Sequence, residues 1–246
     1  DADNIPQPRL EVVITVDEEV GLNGARVIDL SRLKANRMLN LDSEEEGIFL
    51  TSCAGGARVD CILPMQLTRI QGISYEISIE GLQGGHSGAE IHKERGNSNC
   101  LMGRILYKLT KQLNVGLCKL QGGLADNAIP RQTMAVLVVD EKDESAFESV
   151  IAVESANIAR ELATKDPGFK VSVNKTSEYA LETLGSSQVF HCAAGGEVAK
   201  CAAFLASLPD GVQAMSADIP GLVETSLNMG LLSLEDDGIH AVFSVR

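Results

Sequence analysis

The sequence predicts an α/β chain in two parts, a partial parallel sheet over residues 1–55 and an enlarged ferredoxin-like α+β layer over residues 56–246. Three observations predict this. Glu11 to Val16 is apolar almost throughout and dense in β-branched residues, the pattern of a strand covered on both faces. After the acidic run Ser43 to Gly47, candidate strands instead alternate apolar and polar residues, as antiparallel strands with one wet face do. The later elements also follow one another as strand, helix, strand, strand, helix, strand, which is the split βαβ order.

In the first part, the strand Glu11 to Val16 ends in Asp17-Glu18-Glu19 and the turn Gly21 to Gly24 follows. Val27, Ile28, Leu30 and Leu33 have spacings suited to one face of a helix over Ala25 to Lys34. A second apolar segment, Arg37 to Leu41, ends in Asp42, and the crossover of roughly fifteen to twenty residues suits a parallel βαβ unit. In the second part, Ile73, Tyr75, Ile77 and Ile79 alternate with polar residues in a strand that runs into the glycine-rich loop Gly81 to Gly88. A helix over Ser98 to Gln112, strands over Gly116 to Gln121 and Gln132 to Asp140, a helix over Ser145 to Thr164 and a strand over Lys170 to Thr176 complete the layer. A further helix over Gln188 to Ser207 enlarges it, as does a hairpin of Val223 to Leu234 with His240 to Arg246, turning at Asp237-Gly238.

With 246 residues, 44% of them hydrophobic, the chain is long enough to bury a substantial core. A net charge of -13 repels nucleic acid and anionic membrane surfaces, which leaves a small molecule or a peptide as the fitting partner. No apolar stretch has the length of a membrane span and the first eight residues lack the regions of a signal peptide, so the expectation is a cytoplasmic protein. Six scattered cysteines without a CxxC pair argue against a zinc knuckle and suit reduced, buried thiols. Both ends read as cut, so an internal fragment of a longer chain is expected.

Neighbouring parallel strands point the same way, which brings Glu18, Glu19 and Asp42 to the carboxyl edge of the sheet, where open α/β sheets bind ligands. Three carboxylates held close repel one another unless a cation or a shared proton relieves them, and a divalent metal is the natural partner. Successive side chains on a strand face opposite ways, so Glu18 and Glu19 divide their labour, one ligating and the other handling protons. Solvated loop residues or helix N-terminal charges are the alternative for all three.

The blocks TVDEEVGLNGA (Thr15 to Ala25), NLDSEEEG (Asn40 to Gly47), GLQGGHSGAEIH (Gly81 to His92), GNSN (Gly96 to Asn99), NAIPR (Asn127 to Arg131) and VETSLNMG (Val223 to Gly230) resemble, in that order, those of the aminoacyl-histidine (Xaa-His) dipeptidases. That family lies in the metallopeptidase clan of carboxypeptidase G, peptidase T and carnosinase. The resemblance implies that residues 1–55 are a fragment of a zinc-peptidase catalytic domain and residues 56–246 a lid or dimerisation domain. It implies hydrolysis of dipeptides by water activated between two divalent metal ions, zinc, with a homodimer as one assembly. Glu18 matches the family's general base, Glu19 and Asp42 match metal ligands, and His86 matches the lid histidine that stabilises the oxyanion. Asn127 matches the substrate-binding asparagine and Arg246 the arginine that clamps a substrate carboxylate.

The family's remaining ligands, histidines and a bridging aspartate, have no counterpart here, and Asp3 stands too near the glutamate pair to supply one. The ligand set of this chain is thus incomplete, and the fragment alone is expected to be inactive. An aminoacylase or tripeptidase of the same clan, or a non-catalytic lid module, are the other readings. Ser87 lacks the GxSxG spacing of a nucleophile elbow, and His92, His191 and His240 read as surface or structural histidines.

Overall fold

The computed structural model describes residues 6, 8–18, 21–41, 46–49, 52–184 and 187–246. The chain divides into two compact units, Asp1–Cys53 and Ala54–Arg246.

The first unit departs from its expected βαβ form. Residues 11–15 and 37–41 are not strands, and the expected helix is reduced to α1 (Asn23–Val27) and a single 3-10 turn at Leu30–Arg32. Val12, Ile14, Met38, Leu39 and Leu41 are exposed. The reason lies in the architecture the pattern implies: a strand that is apolar on both faces is stable only between further strands and under helices on both sides. Among the described residues of this unit, nothing supplies those layers. Local contacts persist, with the Glu11 carboxylate accepting the Lys34 and Ala35 amides at 2.7 and 2.9 Å.

The second unit contains, in order, β1 (Ala57–Pro64), β2 (Leu67–Glu80), β3 (Gly85–His86), α2 (Ser98–Thr110), β4 (Gly116–Gly122), β5 (Ala128–Ile129), β6 (Thr133–Val139), α3 (Glu144–Glu161), β7 (Lys170–Thr176), β8 (Glu182–Leu184), β9 (Ser187–Ala194), α4 (Gly196–Ser207), β10 (Gly211–Met215), β11 (Val223–Glu235) and β12 (Gly238–Val245). Among the described residues, ten of the strands form one sheet, in the order β1-β12-β11-β4-β6-β2-β9-β8 with β10 on β11 and β7 on β2. Within it, β7, β2, β6 and β4 are neighbours and antiparallel, which is the pairing of a split βαβ layer.

One face of this sheet carries the core. Tyr75, Ile77 and Ile79 of β2, Leu117 and Leu120 of β4 and Leu137 of β6 meet Met102, Leu106 and Leu109 of α2, Phe147 and Ile158 of α3, and Val198 and Leu205 of α4. The alternation along β2 explains its inward set. Ser74 departs from the wet-face expectation, since it is buried and its hydroxyl donates to the carbonyl of Thr176.

The helix expected over Gln188 to Ser207 is instead the strand β9 followed by α4. Gly195 separates the two, holding a φ of 55° that other residues adopt with strain. Before it, residues 188–193 pair with the first half of β2, from Gly72↔Gln188 to Leu67↔Ala193. A short apolar run does not distinguish strand from helix by period alone, and here the free length of β2 decides. All six cysteines are free, with Cys192 and Cys201 buried and Cys53 exposed.

Candidate functional site

The glycine-rich loop after β2 folds into a tight hairpin against the segment before β6. Gly84 turns with a φ of 64°, and a Cβ there would lie 2.4 Å from Arg131 Cγ and 2.8 Å from the Ile129 carbonyl oxygen, so the position admits only glycine. Beyond it, β3 pairs with β5, Gly85 opposite Ile129 and His86 opposite Ala128. The Ser87 amide then donates to the Asn127 carbonyl at 2.8 Å. Backbone pairing thus holds His86 beside Asn127, although 41 residues of sequence separate them by their numbering.

The imidazole of His86 is exposed, and its Nδ1 accepts the amides of Gly88 (3.2 Å) and Ala89 (3.0 Å). An accepting Nδ1 carries no proton, so the neutral ring holds its proton on Nε2 as an outward donor. Its own amide donates to Glu90 Oε2 at 3.1 Å. Glu90 is held down to about 2, first by the Lys93 ammonium at 2.5 Å and then by this amide. Arg95 completes the brace, donating to Glu90 Oε1 at 3.2 Å and to the Gly84 carbonyl.

Arg246 reaches the same hairpin from the end of β12. Its backbone exchanges two hydrogen bonds with Ser226, at 2.8 and 2.9 Å. Its side chain lies over Gly88, where a Cβ would stand 2.9 Å from Nε and 3.0 Å from Cζ. Arg246 Nε is buried without a hydrogen-bond partner, as is the Ser87 hydroxyl. A buried guanidinium N–H without an acceptor is a donor that an incoming anion can satisfy.

His86, Asn127 and Arg246 therefore meet around one turn. A cleft of about 460 Å³ borders it, lined by Ser78–Glu80, Gln121–Leu124 and Ala128–Met134, but none of those three residues lines the cleft. At this turn His86 is exposed, and Asn127 and Arg246 are half-buried. Asp166, which the sequence did not single out, ties the hairpin down at both ends: Oδ1 accepts the Gln83 amide at 2.8 Å and Oδ2 the Gly96 amide at 2.7 Å. No local pattern marks it, because its partners lie far away in sequence. His92 and His191 are exposed, and His240 sits 2.7 Å from Asp237.

Glu18 lies in the first unit, exposed, in a turn where its carbonyl accepts the amides of Gly21 (3.3 Å) and Leu22 (3.1 Å). Glu19 and Asp42 lie outside the described residues, as does Asp3. Among the described residues, no group of three or more His, Cys, Asp or Glu is placed to hold a metal ion. Of the three carboxylates singled out in the sequence, Glu18 alone lies among the described residues.

Residues 77–166, from the middle of β2 to Asp166, match the peptidase dimerisation domain. Over 246 residues the chain is 30% identical to the cytosol non-specific dipeptidase of Escherichia coli K12, a match covering 99% of this chain and 49% of that protein. It is also similar to the crystal structure of aminoacylhistidine dipeptidase from Vibrio alginolyticus, with a TM-score of 0.77, 29% identity, and coverage of 94% of this chain and 46% of that one. By sequence and by fold, the chain is similar to these dipeptidases, and it spans about half the length of the relatives it matches. No helix among the described residues is long and apolar enough to cross a membrane.

Proposed function

We propose that the protein containing this chain is a cytosolic dipeptidase acting on Xaa-His substrates, in which residues 56–246 form the lid and residues 1–55 part of the catalytic domain. The observation that carries this is the convergence of His86, Asn127 and Arg246 on one hairpin, with a partnerless guanidinium N–H on Arg246. Arg246 clamps the carboxylate of the dipeptide by its planar fork. Asn127 offers an amide to the substrate, and the Nε2–H of His86 donates to the scissile carbonyl oxygen as it gains negative charge. The two amides on Nδ1 fix the tautomer this requires.

In this reading Glu18 is the general base, and Glu19 and Asp42 are ligands of two divalent ions, zinc, completed by groups beyond this set. Bound metal would lower the pKa of the attacking water and polarise the carbonyl. Glu18 takes that water's proton and returns it to the leaving amine. The match to a dimerisation domain supports a homodimer built through the second unit.

The test is made on the full-length protein, with hydrolysis of a set of Xaa-His dipeptides and metal content measured together. Two bound ions, turnover, and its loss in Glu18→Ala with both ions retained are the expected results. Normal turnover by Glu18→Ala would overturn the assignment of the base. Preference for N-acyl amino acids or tripeptides would move the activity to another branch of the clan.

A further inference from the structure

We infer that Asn228 is the positioning residue of the substrate hairpin, a buried amide that fixes Asn127 by gripping the carbonyls of the residues on either side of it. The inference rests on the reading of His86 and Asn127 as substrate-facing. Asn228 lies on β11 with 1% of its surface exposed. Its Nδ2 donates to the Asp126 carbonyl at 2.8 Å and to the Ala128 carbonyl at 2.9 Å. Two carbonyl acceptors on one side settle which end of the amide is NH2. With the Asn127 carbonyl taken by the Ser87 amide, three consecutive carbonyls are held, and the Asn127 side chain is the free element of the segment.

The grip is itself anchored to a helix. Asn97 caps α2, its Oδ1 accepting the Asn99 amide at 3.0 Å and the Cys100 amide at 3.4 Å. Its Nδ2 donates to Asp210 Oδ1 at 2.9 Å and to the Met229 carbonyl at 3.2 Å, and stands 3.5 Å from Asn228 Oδ1. Asn99 Nδ2 donates to the same Met229 carbonyl at 3.0 Å, and Asp210 Oδ1 accepts the Met229 amide at 2.8 Å. Residues 228 and 229 are thus held from three sides, and whatever holds them holds the 126–128 segment. Gly230 leaves room for that segment, since a Cβ there would come within 2.4 Å of the Asp126 carbonyl oxygen. Register follows onward through β5 to β3, so Asn228 also sets His86.

Two variants of the full-length protein test this: Asn228→Ala, which removes the grip, and Gly230→Ala, which keeps Asn228 but pushes the gripped segment away. Amide exchange is followed in peptides spanning 84–89 and 126–130, with a peptide from α2 as the core reference, alongside kcat and KM on a dipeptide. Both variants should speed exchange in the two hairpin peptides by about tenfold or more while the α2 peptide keeps its protection. Both should lower kcat by about tenfold or more, with KM changing less, because the hairpin sets His86, which acts on the transition state. Exchange rising equally in hairpin and α2 peptides would mean a merely structural asparagine and overturn the inference, as would unchanged exchange at both hairpin peptides or unchanged kcat. If the wild-type protein has no dipeptidase activity, the reading of the function fails, and the exchange pattern still decides the role of Asn228.

Discussion

Replacing Asp166 with asparagine tests how the hairpin is held. In the native protein one buried carboxylate accepts the amides of Gln83 and Gly96 at 2.8 and 2.7 Å, closing the loop that carries His86. An amide keeps one accepting oxygen and turns an NH2 group toward the other backbone N–H. A hydrogen bond to a charged acceptor contributes about 1.5–3 kcal/mol, and a buried donor left without a partner costs about 1–3 kcal/mol. These overlap, so a net loss of about 3 kcal/mol follows for Asp166→Asn. In a unit of this size about 1 kcal/mol moves Tm by roughly 2–4 °C, which gives a fall of about 6–12 °C. Calorimetric melting of wild type and variant measures the fall, and amide exchange at Gln83 and Gly96 localises it. A Tm within about one degree of wild type would refute the reasoning, since that is the range of surface substitutions without a buried partner.

Acid should loosen the hairpin at Glu90. Its folded carboxyl is held at about 2 against an ordinary 4.5, so its contribution is full above 4.5 and is lost as pH falls from there through about 2. A carboxyl titration by NMR should place its midpoint near 2, and a midpoint near 4.5 would mean that Lys93 and the His86 amide do not hold it. Alkali should act on Tyr75, pushed up to about 12 by burial and then by its hydrogen bond to Glu144. The unfolded phenol ionises near 10, so stability should fall as pH rises from 10 to about 12, and Glu144→Gln should lower the midpoint of the phenolate absorbance titration. An unchanged midpoint in that variant would remove Glu144 from the account. For His86→Ala, the loss of one oxyanion donor should lower kcat by about 10²–10³ with little change in KM, measured by steady-state hydrolysis on the full-length protein. A change confined to KM would make His86 a binding residue only.

Much of the second unit was legible because its elements are marked locally. The two-residue alternation of Ile73 to Ile79 and the apolar spacing of Met102, Ile105, Leu106 and Leu109 each specify one buried face, and both elements form where expected. β9 was misread because Val189 to Ala194 is too short to show its period, and its pairing with the first half of β2 is a fact of tertiary structure. β1 escaped notice because its residues are mostly exposed and make no inward pattern, so that pairing with β12 defines it. The first unit shows the reverse failure: a sequence suited to a doubly covered strand does not make one without the covering layers. At the site, the family resemblance singles out His86, Asn127 and Arg246 but gives no role to Glu90 and Asn228, which lie inside its blocks, nor to Asp166, because these three act through backbone groups of other residues. Glu19 and Asp42 lie outside the described residues.

The central claim, that this hairpin grips the carboxylate end of a dipeptide, is tested most directly by comparing a dipeptide with its C-terminal amide on the full-length protein and on Arg246→Ala. The account predicts that kcat/KM of the wild type favours the free carboxylate by at least about 30-fold, the equivalent of about 2 kcal/mol for one buried charge contact, and that Arg246→Ala abolishes most of this preference. A preference that survives intact in Arg246→Ala would contradict it.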